Sequence, residues 1–192
     1  MISAIILAAG ESKRMGKNKL LLEIGGRKII DIVIDTLRDV ADDIIVVLGH
    51  KPESLATLLK EKNVRWKINK NYRRGMVSTF QEGLKETSTS EAVFLILGDQ
   101  PFIRKDFLLR MVEAWRKRKG KIISPIHKGK KGHPVLFDKA VYPEILSLGA
   151  NNTIRDVIHR FDKDLYLLEA GEWSVLDIDS LEDFTKHKRN VI

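Results

Sequence analysis

The sequence predicts an α/β protein, with a mostly parallel sheet covered by helices on both faces. Two observations carry this. Short, unbroken apolar runs recur along the chain, as in strands buried on both faces. Between them lie longer segments whose apolar residues repeat at helical spacing.

The elements follow in order. "AIIL" from Ala4, "IIVVL" at Ile44–Leu48 and "AVFLIL" at Ala92–Leu97 are the early strands. Ile29, Ile30, Val33, Ile34 and Leu37 share one helical face, and Leu55, Leu58 and Leu59 share another after Pro52, which suits a first turn. Phe107, Leu108, Met111, Val112 and Trp115 make a third face. Later strands are predicted at Ile122–Ser124, Pro134–Phe137, Leu165–Leu168 and Val175–Ile178. A last helix starts at Ser180, with Asp183 three residues on. No long linker, internal repeat or low-complexity tract interrupts the pattern, so one domain over residues 1–192 is expected.

Composition narrows the function classes. The chain has no cysteine, which excludes disulfides, thiolate zinc sites, iron–sulfur clusters and cysteine nucleophiles. No apolar run is long enough to span a membrane. The opening "MISAIILAAG" lacks a basic leader, and a cytoplasmic protein is expected. The formal net charge of +8 favours anionic partners.

In open α/β sheets ligands bind outside the carboxyl ends of the strands. Two loops then matter: "GESKRMGKNK" after the first strand and "GDQP" after "AVFLIL". The first is not a P-loop. Five residues separate Gly10 from Gly16, and Asn18 stands after Lys17 where a magnesium-binding hydroxyl would be needed. The dinucleotide fingerprint is absent too. Anion binding remains open to it, through glycines that admit a close ligand, through Arg14 and through Lys19. The alternative is a solvated basic turn.

Read whole, "LAAGESKRMGKNKLLLEIGGRKIID" resembles the signature of the MobA-like NTP transferases. "GMVSTFQEGL" at Gly75–Leu84, "GDQP" at Gly98–Pro101, "GHPVLF" at Gly132–Phe137 and "LDIDSLEDF" at Leu176–Phe184 resemble further blocks of that family, in family order. Ala8-Ala9-Gly10 and Gly98-Asp99-Gln100-Pro101 are similar to the branch of molybdenum cofactor cytidylyltransferases, whereas the guanylyltransferase branch tends to Leu-Ala-Gly-Gly and Gly-Asp-Met-Pro.

The resemblance implies a nucleotide-diphospho-sugar transferase fold, GT-A-like and Rossmann-like. It implies Mg2+-dependent transfer of a nucleotidyl group, with CTP favoured, onto a molybdopterin-type acceptor, and a molybdoenzyme or chaperone as a partner that receives the product. Arg14, Lys19 and Asp99 would be catalytic. Leu7, Ala8, Ala9, Gly10, Ser78 and Gly98 would join Arg14 and Lys19 in holding the nucleotide. Gln100, Gly132 and His133 would face the acceptor. Asp99 would bind metal with Asp179 or Asp177, and the late block centres on Asp179. Were that segment extended, both of its aspartates would point to one side.

Each residue has a plainer reading. Asp99 would be a turn residue, Ser78 part of a helix cap, His133 a histidine with one backbone hydrogen bond, and the "DID" an acidic strand end. His50, His127, His159 and His187 show no ligand spacing and read as ordinary. "RKRKGK" at Arg116–Lys121, "HKGKKGH" at His127–His133 and "WKINKNYRRG" at Trp66–Gly75 leave a rival: a nucleotide- or RNA-binding protein that kept the fold and lost the chemistry. The presence of Arg14, Lys19, Asp99 and the "DID" together favours the enzyme. A transferase using GTP, or a sugar phosphate as acceptor, is the alternative within enzymes.

Overall fold

The structure is a computed structural model that describes residues 1–12, 18–176, 178 and 182. Arg14, Asp177, Asp179 and the helix expected from Ser180 lie outside the described residues.

The chain starts with strand β1 (Ile2–Ala8), followed by a 3-10 turn at Lys19–Leu21 and a two-residue hairpin, β2 (Glu23–Ile24) and β3 (Arg27–Lys28). Then come α1 (Ile29–Leu37), β4 (Asp43–Leu48), α2 (Glu53–Glu61), β5 (Arg65–Ile68), α3 (Met76–Glu86), β6 (Ala92–Leu97) and α4 (Lys105–Arg116). The second half holds β7 (Ile122–His127), β8 (Lys130–Lys131), β9 (Val135–Asp138), α5 (Tyr142–Leu146), α6 (Ile154–Arg160) and β10 (Leu165–Glu169).

The main sheet has the order β10-β7-β9-β6-β1-β4-β5, with β8 paired to β7. β1 runs parallel to β4 and β6, β5 to β4, and β10 to β7. β9 is antiparallel to both of its neighbours, β6 and β7. The fold is thus mixed α/β with a mostly parallel sheet, as the apolar runs predict. Among the described residues no helix is long and apolar enough to cross a membrane.

Strand alternation divides the core between the two faces. Ala4, Ile6 and Ala8 of β1 join the cluster that packs α1, α2 and α4. Ile5 joins the cluster that packs α3, α5 and α6 through Phe80, Leu84, Ile145 and Val157.

Among the described residues of the expected strand at Val175–Ile178, which are 175, 176 and 178, none is in a strand. Glu172–Val175 is a 3-10 turn instead, and Ser174 N–H donates back to the Gly171 carbonyl. The Ser174 carbonyl accepts from the His133 amide at 2.9 Å, which pins the turn across the β8–β9 connection rather than along a strand.

Helix α3 sits close on the sheet because Gly83 has no side chain. A Cβ there would lie 2.4 Å from Ile5 Cγ2 and 3.0 Å from Val47 Cγ2. Ile5 and Val47 are fully buried, so neither can turn aside. Gly83→Val is expected to destabilise by ~2 kcal/mol through overpacking. In thermal unfolding this is a fall in Tm on the order of 5 °C; an unchanged Tm would mean that α3 is free to shift.

Candidate functional site

The carboxyl ends of β1, β4 and β6 open onto one cleft of about 1100 Å³. Two glycines let these strand ends close up. A Cβ on Gly98 would lie 2.9 Å from the Leu7 carbonyl oxygen, and the Gly98 amide donates to that same oxygen at 3.0 Å. A Cβ on Gly49 would lie 2.7 Å from the Ala9 carbonyl oxygen and 2.6 Å from Tyr72 Cβ. At Gly10 the reverse holds: a Cβ would meet nothing within 4 Å, so the backbone there faces open cleft.

Lys19 is positioned by its own turn. The Asn18 side chain accepts from the Leu20 amide at 3.1 Å and caps the 3-10 turn, while Leu20 is buried as its anchor. The Lys19 amide donates to Ser12 Oγ at 3.2 Å, which ties the two ends of the 13–17 loop together.

The Lys19 side chain then crosses the cleft floor. Its Nζ donates to Asp99 Oδ2 at 2.5 Å and to the Ile178 carbonyl at 2.9 Å. The Ile178 amide returns a bond to the Asp99 carbonyl at 3.3 Å. One ammonium thus joins the first loop, the end of β6 and the late "DID" segment. Both side chains of the pair are mostly shielded, 15% and 19% exposed, so the charges attract more strongly than a surface pair would.

His50, Tyr72 and Arg73 form another wall of the cleft, the last two from the "WKINKNYRRG" tract that the sequence marks as basic and aromatic. His50 Nδ1 lies 3.2 Å from Tyr72 Oη, and the two rings are 5.9 Å apart. Arg73 sits over the Tyr72 ring and approaches Glu11 at 3.7 Å. His50, a partly buried residue that shows no ligand spacing in the sequence, is part of the cleft lining. The only sequence signal was its place just after a parallel strand. Helix α3 starts at the same wall, with Gly75, Met76 and Thr79 facing the cleft, so the positive end of its dipole points inward.

Leu7, Ala8, Ala9, Gly10, Lys19 and Asp99 all line the cleft. Ser78 is used differently. Its hydroxyl donates towards the Asn71 and Gly75 carbonyls and accepts from Asn69 Nδ2, so it secures the turn that carries Tyr72 and Arg73. Gln100 is buried, 1% exposed.

Gly132 and His133 lie beside the cleft, where β9 joins the sheet. A Cβ on Gly132 would lie 2.1 Å from the Ser174 carbonyl oxygen, so only glycine fits against that turn. His133 Nδ1 is buried, with no hydrogen-bond partner among the described residues. Burial lowers the pKa of its ring to about 4; Asp99 opposes the shift and the Arg155 charge adds to it.

Asp99 offers the hard oxygen donor that magnesium prefers. Among the described residues no three acidic or histidine side chains converge on a metal position. The bond from the Ile178 amide to the Asp99 carbonyl brings residue 178 next to that carboxylate's strand end, and Asp177 and Asp179, the other expected ligands, lie outside the described residues.

The family model for the MobA-like NTP transferase domain matches residues 4–165. A probable molybdenum cofactor guanylyltransferase from Natranaerobius thermophilus is 34% identical over 67% of this chain, a match that spans 62% of that relative's length. The molybdenum cofactor cytidylyltransferase of Escherichia coli is 29% identical over 97% of this chain and 95% of its own. A solved nucleotidyl transferase from Methanothermobacter has the same fold, with a TM-score of 0.84 at 23% identity, covering 99% of this chain and 97% of that one. By the family match over most of its length, as by the cleft that its sequence blocks build, the chain belongs to the MobA-like NTP transferase family.

Proposed function

We propose that the chain is a magnesium-dependent nucleotidyltransferase that moves CMP from CTP to the phosphate of a molybdopterin-type acceptor. The observation that carries the reading is the Lys19–Asp99 pair on the cleft floor, contributed by two separate family blocks. Preference for CTP is supported by Ala9 and by the cytidylyltransferase named among the relatives, which aligns along nearly all of both chains. GTP is the second reading, favoured by the guanylyltransferase that is the more identical over a shorter segment.

The reaction needs positioning and charge neutralisation rather than a covalent intermediate. The cleft is large enough for a nucleoside triphosphate. The base and ribose rest on the backbone of residues 7–10, and the phosphates run towards Lys19 and the start of α3. Arg14 adds its charge from the first loop. Magnesium, held by Asp99 with Asp179 or Asp177, would supply charge neutralisation on the triphosphate.

An oxygen of the acceptor phosphate then forms a bond to the α-phosphorus. The bond from that phosphorus to the α,β-bridging oxygen breaks, and its electron pair leaves with pyrophosphate. The attacking phosphate is already ionised near neutral pH, so no side chain has to remove a proton. Lys19 Nζ stabilises the charge that builds on the bridging oxygen.

Asp99→Ala is expected to lower turnover by at least a factor of about 10² to 10³, read as pyrophosphate release, while circular dichroism shows an intact fold. Wild-type turnover in that variant would remove Asp99 from the mechanism. In a panel of the four nucleoside triphosphates with molybdopterin, CTP is expected to exceed GTP in kcat/KM by roughly tenfold or more. A GTP preference would transfer the assignment to the guanylyl reading.

A further inference from the structure

Beyond Asp99 the rim carries groups that the nucleotide cleft does not use. β9 pairs Val135 with Leu95 in antiparallel register, so His133, two residues earlier, lies level with the end of β6 that leads to Asp99. Its backbone is fixed by the bond to the Ser174 carbonyl. Its buried Nδ1 has no hydrogen-bond partner among the described residues. A buried polar atom left unpaired costs free energy, and a ligand that supplies the missing bond recovers it.

Helix α6 brings a charge to the same place. After α6 the chain reaches Asp164, whose carbonyl accepts from Lys121 where β7 and β10 begin. That is the end of the sheet opposite the cleft, so the first turn of α6, with Arg155, lies towards the rim. Ile154 belongs to the same apolar cluster as Val135 at the start of β9. Arg155 is exposed, and among the described residues it makes no ion pair. Its charge nonetheless reaches the His133 ring and helps hold that ring neutral.

We propose that Arg155 and His133 Nδ1 form the subsite for the acceptor's phosphate monoester. The inference rests on the nucleotidyl-transfer reading. The planar guanidinium takes two phosphate oxygens in a bidentate pair. The ring nitrogen donates to the same group from the buried side. The phosphate is thereby held beside Asp99 with an oxygen turned to the α-phosphorus, and positioning of this kind replaces a bimolecular encounter. The subsite is made of side chains and does not depend on the short helix's amides.

With molybdopterin as acceptor and CTP as donor, Arg155→Ala is expected to raise the acceptor KM on the order of ten- to a hundredfold. The nucleotide KM should stay within about twofold, and Arg155→Lys should recover only part of the loss because it lacks the fork. An unchanged acceptor KM, or an equal rise in both constants, overturns the subsite. A second measurement does not need turnover. In NMR of protein labelled at histidine rings, inorganic phosphate is expected to shift the His133 signals in wild type and not in Arg155→Ala. No shift in wild type, or the same shift in both proteins, overturns the subsite as well. Absence of turnover with every acceptor would refute the proposed activity, and the phosphate titration would then decide the subsite by itself.

Discussion

The architecture of the cleft depends on one ammonium group. Lys19 Nζ bonds a carboxylate from the end of β6 and a carbonyl from the segment at residue 178, 159 residues away in sequence. A lysine so shielded from water loses hydration, and only close oxygens compensate for it. Its bonds to Asp99 and to the Ile178 carbonyl supply such oxygens from two distant parts of the chain, so the first loop, the end of β6 and residue 178 meet here. A triphosphate offers the same ammonium stronger oxygen partners. In the proposed reaction the Lys19–Asp99 contact therefore keeps both groups in place until substrate arrives to share them.

The second constraint is the close approach of the strand ends. Gly49 and Gly98 allow the backbone after β1 to touch that after β4 and β6, with no room for a Cβ at either glycine. This sets the floor at the depth where Lys19 can reach Asp99. Gly10, by contrast, borders open space, so its lack of a side chain serves whatever lies in the cleft. The same residue type thus does two different things within one short stretch of rim.

Much of this was legible in the sequence, for physical reasons that also mark where legibility ends. β1, β4 and β6 are covered on both faces and so appear as unbroken apolar runs. β5 is an edge strand with Arg65, Trp66 and Ile68 exposed, and it leaves no such run. The reversal of β9 was hidden because an apolar pattern carries no direction. α5 has only five residues, too few for periodicity to show. Lys19 and Asp99 could be paired in advance only through the family's blocks, since nothing local connects residues 80 positions apart. Tyr72 comes from a three-residue 3-10 turn, too short for a period, so its meeting with His50 left no trace in spacing.

The reversal of β9 has a chemical result. Every other strand beside the cleft ends at the rim, but β9 begins there, and the residues just before it are placed beside Asp99 from the far side of β6. The cleft is thereby divided. In the proposed reaction the loops after β1 and β4, with the turn before α3, surround the nucleotide, and the start of β9 with α6 faces the acceptor. Lys19 and Asp99 stand between the halves, where the bond is exchanged in the proposed reaction. They address phosphorus and its oxygens, which are the same in every nucleoside triphosphate. In the same proposal the base is met instead by the backbone of residues 7–10, with Ala9 among them. In the proposed reaction, preference for the base is therefore set apart from the transfer machinery, at the backbone beside Ala9, and can change there while Lys19 and Asp99 stay fixed.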